Sequence, residues 1–187
     1  MFGPPGSQEA PGDDDDSVAQ LLPLESITAL DLSQLEDIGG DLTLRDTPSL
    51  TALELPALVT VGGALDLTDC GDLVSVDAPL LETLGVLDVD GAGSLTSLSM
   101  PSLTATTTGR LAISGTALAT LDLPVITSVA STLALSSNGG LSSLDLPLLT
   151  TVGAFGFVGN PATSTLGLSG LTAVNGTLQI QDNGAGL

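Results

Sequence analysis

Apolar residues alternate with polar or small residues over short stretches of this chain, and the alternation recurs at a fixed period. In residues 53–63, LELPALVTVGG, an apolar pair flanks one acid and is followed by proline, a second apolar group and two glycines. Closely related segments begin at Leu98, Leu121 and Leu144. The prolines that mark these segments are 23, 22, 23 and 23 residues apart: Pro56, Pro79, Pro101, Pro124 and Pro147. A fixed period in the twenties is typical of a stack of similar coils.

Within each repeat the apolar spacing is two, which predicts short strands with one buried face. Leu65 and Leu67, for example, bracket a single aspartate, and Leu111 and Ile113 bracket an alanine. Glycine and asparagine lie between these stretches, where turns form, and no segment carries a sustained helical pattern. We therefore predict an all-β, leucine-rich solenoid of about seven coils of 22–23 residues. Its parallel strands should stack about 4.8 Å apart, with leucine ladders inside.

The first residues have a different composition. Residues 1–20 contain three prolines, three glycines and the run Asp13–Asp16, so we predict a disordered acidic leader or linker. The repeats occupy residues 21–187, and the last coil is incomplete. The first residues lack the basic and apolar regions of a signal peptide, so a secretion signal would have to be supplied elsewhere or already removed.

The repeated pattern L-x-x-V-G-G-x-L-x-L, followed by L-x-x-L-x-L-P-x-L, resembles the receptor L-domain family over about residues 26–187. It is most similar to members on fungal cell walls and in bacterial surface lipoproteins. The resemblance implies a right-handed, parallel β-helix-like solenoid, extracellular placement, and a role in wall organisation, adhesion or ligand recognition. The chain lacks the cysteines that commonly cap such domains. The asparagine that family repeats often carry occurs at Asn138, Asn160 and Asn183, whereas earlier coils have Thr47, Cys70, Ala92 and Thr116.

Charge narrows the choice of partners. Twenty-two acids and two arginines give a net charge of -20, which argues against nucleic acid and against anionic membrane surfaces. Residues 1–93 hold 19 of the acids, so the N-terminal half is much more acidic than the C-terminal half. No apolar run is long enough for a membrane span. We expect a cationic, neutral or metal-bearing partner.

The residue inventory also argues against an enzyme. Histidine, lysine, tryptophan and tyrosine are absent, and Arg45 and Arg110 lie more than two coils apart and outside any recognisable catalytic group. Hydrolysis of a polysaccharide could use two carboxylates, but enzymes that act on sugars usually need aromatic platforms, and here no aromatic residue can be spared from the core. We predict a protein with no catalytic activity and no obligatory cofactor.

One acid recurs at the same place in successive coils. This acidic column comprises Asp31, Glu54, Asp77, Asp122 and Asp145, with Ser99 interrupting it and Gly167 ending it. Stacked carboxylates about 5 Å apart repel one another, and calcium, which prefers several oxygen ligands, would relieve the repulsion. The alternative, which we favour, is that the acids keep an exposed strand soluble and prevent edge pairing.

A second acidic group lies around two adjacent strands and turns. This acidic patch comprises Asp66, Asp69, Asp72, Asp88 and Asp90. Residues 88–91 resemble the opening of a calcium-binding loop, but the remaining ligand positions are missing. A cationic partner surface is the better-supported use of the patch.

Several further residues have structural interpretations. Phe155 and Phe157 replace strand leucines and should lie in the core, and Cys70 should be a buried thiol in a turn. One threonine per coil recurs at the same place and forms a column. We favour ordinary strand propensity as its explanation over contact with ice or a crystalline polysaccharide. That column comprises Thr104, Thr127, Thr150 and Thr172. The triplet 175–177, Asn-Gly-Thr, is the only glycosylation sequon.

Together these features predict a non-catalytic extracellular or cell-surface solenoid that mediates adhesion, ligand recognition or wall and matrix organisation. Its partner would be a protein or polysaccharide surface. The alternative is a structural solenoid that stacks end to end through open strand edges. A calcium-dependent β-helix acting on polysaccharides is the reading we disfavour.

Overall fold

A computed structural model describes residues 27–184, and these residues form an all-β structure without helix. The first eight strands are β1 (Asp37–Ile38), β2 (Leu42–Thr43), β3 (Ala52–Glu54), β4 (Thr60–Asp66), β5 (Ser75–Asp77), β6 (Thr83–Asp90), β7 (Ser97–Ser99) and β8 (Ala105–Thr106). The next eight are β9 (Leu111–Ser114), β10 (Thr120–Leu121), β11 (Ser128–Ser136), β12 (Ser143–Asp145), β13 (Thr151–Val158), β14 (Thr165–Gly167), β15 (Ala173–Val174) and β16 (Leu178–Gln181). The predicted leader, residues 1–20, lies outside the described residues.

The strands stack in parallel as a β-solenoid of about six turns, which confirms the predicted fold class and is consistent with a right-handed β-helix. A ten-stranded sheet, here the long sheet, follows the order β1-β4-β6-β8-β11-β13-β15. The other three strands, β2, β9 and β16, belong to the same sheet and lie in the same coils as β1, β8 and β15, respectively. The short strands form two three-stranded sheets, β3-β5-β7 and β10-β12-β14. A single bridge between Ser99 and Asp122 links those two sheets. We call them together the short-strand face.

Leucine ladders fill the interior, as the alternation predicts. Leu65, Leu87, Leu111, Leu133 and Phe155 are successive partners in the long sheet and are all buried. Phe155 and Phe157 lie in the core as expected, with ring centroids 6.3 Å apart and nearly parallel planes. Because the strands are parallel, each buried side chain contacts its equivalent about one repeat away, and the apolar core is continuous along the solenoid.

Glycines in the long strands allow neighbouring coils to approach closely. A Cβ atom on Gly85 would lie 2.5 Å from the carbonyl oxygen of Gly63, and one on Gly153 would lie 2.2 Å from that of Ser131. The strand register shifts at the same place, between Val61 and Ala64 and between Val129 and Thr132. These bulges absorb the extra residue of a 23-residue coil beside a 22-residue coil, so the ladders on either side remain aligned.

Candidate functional site

The acidic column lies on the outer side of the short-strand face. Glu54 pairs with Asp77, Asp77 with Ser99, and Asp145 with Gly167, while the bridge joins Ser99 to Asp122. The four carboxylates of this part of the column, Glu54, Asp77, Asp122 and Asp145, are exposed. Serine at position 99 therefore divides the column into two pairs of carboxylates.

Asp31 belongs to the column by sequence but has a local role. It precedes the first paired strand, and its carboxylate accepts a hydrogen bond from the backbone N–H of Ser33 at 3.0 Å. Hydrogen bonds from the Ser33 side chain and backbone lower the pKa of Asp31. Its carboxylate thus stabilises the turn that leads into the long sheet.

The geometry limits what the column could do with a metal ion. Among residues 27–184, no group of three or more histidine, cysteine, aspartate or glutamate side chains is arranged to hold a metal. Calcium takes six to eight oxygen ligands, whereas the paired strands supply two neighbouring carboxylates at a time, Glu54 with Asp77 and Asp122 with Asp145. The column thus provides repeated negative charge rather than a preformed ligand cage.

Hydroxyl groups accompany the acids on the same outer surface. The residues two positions before the acids form a second column of mostly serine and threonine: Ser75, Ser97, Thr120, Ser143 and Thr165. A groove of about 310 Å³ runs between the two columns where Thr120, Asp122, Ser143 and Asp145 meet Pro124. The short-strand face therefore offers carboxylates and hydroxyls in two parallel rows, which suits contact with a repetitive polar surface.

The acidic patch differs from the sequence interpretation, because the fold brings both arginines into it. Arg45 donates a hydrogen bond to the Asp66 carboxylate and forms an ion pair with it. The Arg110 guanidinium donates to both carboxylate oxygens of Asp88, from Nε at 2.9 Å and from Nη2 at 2.6 Å. Asp66 and Asp88 are themselves partners in the long sheet. The two arginines therefore enclose two stacked aspartates from opposite sides, although neither arginine had been assigned to any group. The remaining acids of the patch, Asp69, Asp72 and Asp90, are exposed.

Asp66 is the most buried acid of the patch, with 6% of its surface exposed. Burial alone would raise its pKa, but hydrogen bonds from Arg45 and Thr68 outweigh that effect and hold the pKa below its usual range. The negative charges of Asp66 and Asp88 are therefore compensated by Arg45 and Arg110 within the fold. The patch offers a partner less negative charge than its sequence indicates.

The asparagine positions of the repeats form one column, here the turn column, which is buried except for the half-buried Asn183. Its members are Thr47, Cys70, Ala92, Thr116, Asn138, Asn160 and Asn183. Each follows a residue with a left-handed backbone, with φ between 52° and 71°: Asp46, Asp69, Gly91, Gly115, Ser137, Gly159 and Asp182. That conformation favours glycine, aspartate and asparagine, which explains the residue types in this turn.

The asparagine amides connect successive coils. Asn160 Oδ1 accepts the backbone N–H of Asn138 at 3.1 Å, and Asn160 Nδ2 donates to the Leu135 carbonyl at 3.0 Å. Asn183 repeats this arrangement one coil further on, toward Asn160 and the Phe157 carbonyl. Asparagine is suited to this place because its one side chain supplies both an acceptor and a donor.

In the N-terminal half, the Cys70 side chain makes one of the hydrogen bonds that asparagine makes in later coils. Its thiol is buried, donates to the Leu44 carbonyl and contacts the Thr47 hydroxyl. Burial raises the pKa of the thiol, and the nearby Asp66 and Asp69 raise it further, against hydrogen bonds with Thr47 that lower it. The protonated thiol is therefore the stable form, which makes Cys70 a structural donor.

The threonine column lies at the residues immediately before β8, β11, β13 and β15, where the backbone N–H groups also bond the preceding coil. Each of its hydroxyls donates to a backbone carbonyl of the preceding coil, at 3.0 to 3.1 Å, starting with Thr104 on Glu82 and ending with Thr172 on Thr150. The column is thus a hydrogen-bonded ladder between coils.

Fold and site together define the chain as a β-solenoid with a column of exposed carboxylates on its short-strand face. No family model matches the chain, and neither the comparison with curated proteins nor that with solved structures found a significant match. Residues 27–184 contain no helix long and apolar enough to cross a membrane.

Proposed function

We propose that this protein is a non-catalytic extracellular or cell-surface solenoid that adheres to a cationic protein or polysaccharide surface through the acidic column. The observation that supports the proposal is the uncompensated charge of Glu54, Asp77, Asp122 and Asp145, which are exposed on one face. The chain has two arginines and no lysine, and both arginines bond to Asp66 and Asp88. No cationic side chain therefore neutralises the column.

A rigid row of carboxylates suits a repetitive partner. Because each coil repeats at the strand spacing of about 4.8 Å, ligand charges at a comparable repeat can engage several coils at once. Attraction between exposed charges is screened by salt over about 10 Å at 0.1 M ionic strength, so binding should weaken as salt increases. The resemblance to receptor L-domains supports the extracellular placement and the adhesive role.

Binding to immobilised polymers tests this function. We expect the protein to bind poly-lysine and a deacetylated, amine-bearing polysaccharide, and to bind a neutral glucan at least tenfold more weakly. A variant with Glu54→Gln, Asp77→Asn, Asp122→Asn and Asp145→Asn should lose at least tenfold in affinity for the amine-bearing polymers.

The matched control removes four exposed acids elsewhere: Glu36→Gln, Asp72→Asn, Glu82→Gln and Asp182→Asn. Both variants change net charge by the same amount, so they separate the column from the overall charge. Equal losses in the two variants would contradict a dedicated surface. Repeating the titration in millimolar calcium tests the calcium hypothesis, because bound calcium would neutralise the column and weaken polymer binding.

A second candidate function, end-to-end assembly, is favoured by exposed apolar side chains on β16. Leu178 and Ile180 are 57% and 45% exposed, although their partners one coil earlier, Phe155 and Phe157, are fully buried. Within the described residues, β16 pairs with β13 alone. We expect a concentration-dependent increase in mass by light scattering that the double variant Leu178→Gln and Ile180→Thr abolishes. A monomer at all concentrations would exclude assembly and leave the adhesive role.

A further inference from the structure

The chain contains four asparagines, and the fold uses three of them. The side-chain amides of Asn138, Asn160 and Asn183 bond neighbouring coils; that of Asn138 accepts from the Thr116 hydroxyl and donates to the Ile113 carbonyl. The fourth, Asn175, lies in the bend between β15 and β16 and is exposed. Its backbone N–H donates to the Val152 carbonyl at 3.0 Å, but its side-chain amide makes none of the hydrogen bonds of residues 27–184. The amide nitrogen is therefore accessible.

The same asparagine opens the one acceptor sequence for N-linked glycan. Gly176 and Thr177 follow it, which satisfies the rule of serine or threonine two residues later with no proline between. None of the other three asparagines is followed by serine or threonine at that distance. The available amide and the acceptor triplet thus coincide at a single residue.

The bend leaves space that the inner coils do not. At the corresponding place in an inner coil, even a Cβ on Gly153 would lie 2.2 Å from a backbone oxygen of the adjacent coil. In contrast, residues 175–177 are all exposed, and the Thr177 hydroxyl makes no hydrogen bond among the described residues. The Thr177 carbonyl, which accepts the Phe155 N–H at 2.8 Å, belongs to the backbone and is untouched by a glycan. A glycan on Asn175 therefore removes no hydrogen bond of the fold.

We propose that Asn175 is an N-glycosylation site. The inference rests on the extracellular placement of the proposed function, and the source must be a cell whose secretory pathway carries out this reaction. The donor is a lipid-linked oligosaccharide pyrophosphate. The Asn175 amide nitrogen forms a bond to the anomeric carbon of the first sugar, the bond from that carbon to the pyrophosphate oxygen breaks, and the lipid pyrophosphate leaves. The amide gives up one proton to a base of the transferase, and nothing is oxidised or reduced.

The position of the glycan has a consequence for assembly. Asn175 lies beside the rung that carries Leu178 and Ile180, and β15 and β16 form one edge of the long sheet. A glycan there obstructs the approach of a second copy to this edge. The acidic column lies on the short-strand face and stays free, so glycosylation favours the adhesive role over end-to-end assembly.

Expression of the full chain behind a secretion signal in a eukaryotic host tests the site. Intact mass before and after treatment with peptide N-glycosidase should show one N-linked glycan, which Asn175→Gln and Thr177→Ala abolish and Thr177→Ser retains. Circular dichroism shows whether the unglycosylated variants are folded. An unmodified chain, from a host that glycosylates a co-expressed control protein, would overturn the proposal. Binding of the amine-bearing polymer by the same samples is scored separately, so a failed adhesive function is distinguishable from a failed glycosylation site.

Discussion

Removal of the Asn160 amide is the sharpest test of how the coils are joined. The substitution Asn160→Ala leaves the N–H of Asn138 without the acceptor it has at 3.1 Å, in a turn where both residues are at most 1% exposed. An unsatisfied buried N–H costs about 1–3 kcal/mol, and the lost bond to the Leu135 carbonyl contributes about 0.5–1.5 kcal/mol. We therefore expect the free energy of unfolding to fall by about 2–4 kcal/mol. For a chain of this size that corresponds to a melting temperature lower by roughly 5–15 °C.

Urea unfolding followed by far-ultraviolet circular dichroism measures this change, since the chain has neither tryptophan nor tyrosine for fluorescence. The control is Asn175→Ala. The exposed side-chain amide of Asn175 has no hydrogen-bond partner among residues 27–184, so this substitution should change the free energy of unfolding by less than about 0.5 kcal/mol. Asn160→Leu keeps most of the side-chain volume and should remain destabilised. Wild-type stability in Asn160→Leu would show that volume rather than hydrogen bonding matters, and equal losses in Asn160→Ala and Asn175→Ala would refute the reasoning.

Three further predictions concern other contacts between coils. Gly85→Ala should destabilise the protein by at least about 2 kcal/mol in the same urea assay, because its Cβ meets backbone, whereas Gly156→Ala, with no atom within 4 Å of the new Cβ, should be close to neutral. Asp66 has a lowered pKa, so its pairing with Arg45 stabilises the fold above the unfolded pKa of about 3.9 and less as pH falls through the folded value. The stability difference between wild type and Asp66→Asn should accordingly be full at pH 6 and shrink toward pH 2; a difference independent of pH would contradict the assignment. Cys70 should resist a thiol-specific reagent in the native state and react once urea unfolds the chain, and rapid labelling of the folded protein would show that the thiol is accessible.

The fold was predictable because parallel stacking converts a sequence period directly into structure. Leu65 and Leu87 lie one repeat apart in the sequence and become partners in the sheet, so the leucine ladders and the acidic column follow from alignment of the repeats. Alternation by two also separates the buried Leu53 from the exposed Glu54. In a solenoid, the pattern within one repeat together with the repeat period is therefore enough to predict the architecture.

The ion pairs were not predictable from the period, because they join residues at different places in their coils. In the sheet, Asp66 is the partner of Thr43. Arg45 lies two residues after Thr43, so its side chain must reach diagonally to bond Asp66 in the next coil. Alignment places Arg45 beside Thr68 and gives no reason to pair it with an acid. Long flexible side chains cross between columns in a way that repeat alignment does not represent.

The turn column had a signal that was present but misread. Thr47, Cys70 and Thr116 depart from the asparagine pattern, but all three are small residues able to form hydrogen bonds. The aspartate or glycine that precedes each of them marks the left-handed turn. These two signals together predict a buried polar column, whereas the asparagine signature alone does not.

The single bridge between Ser99 and Asp122 has a consequence for how the solenoid comes apart. At this seam the two three-stranded sheets stop, the long strand of the fourth coil is split into β8 and β9, and Ala92 adds no polar side chain to the turn column. The Arg110–Asp88 ion pair crosses the seam. In a solenoid each coil is stabilised by its nearest neighbours, so a weak interface divides the cooperativity of the whole. We expect two foldons in native-state hydrogen exchange, an acidic one before the seam and a nearly neutral one after it. Mechanical tension along the axis should separate the solenoid at this seam first, so that the carboxylate-rich half comes away as a unit.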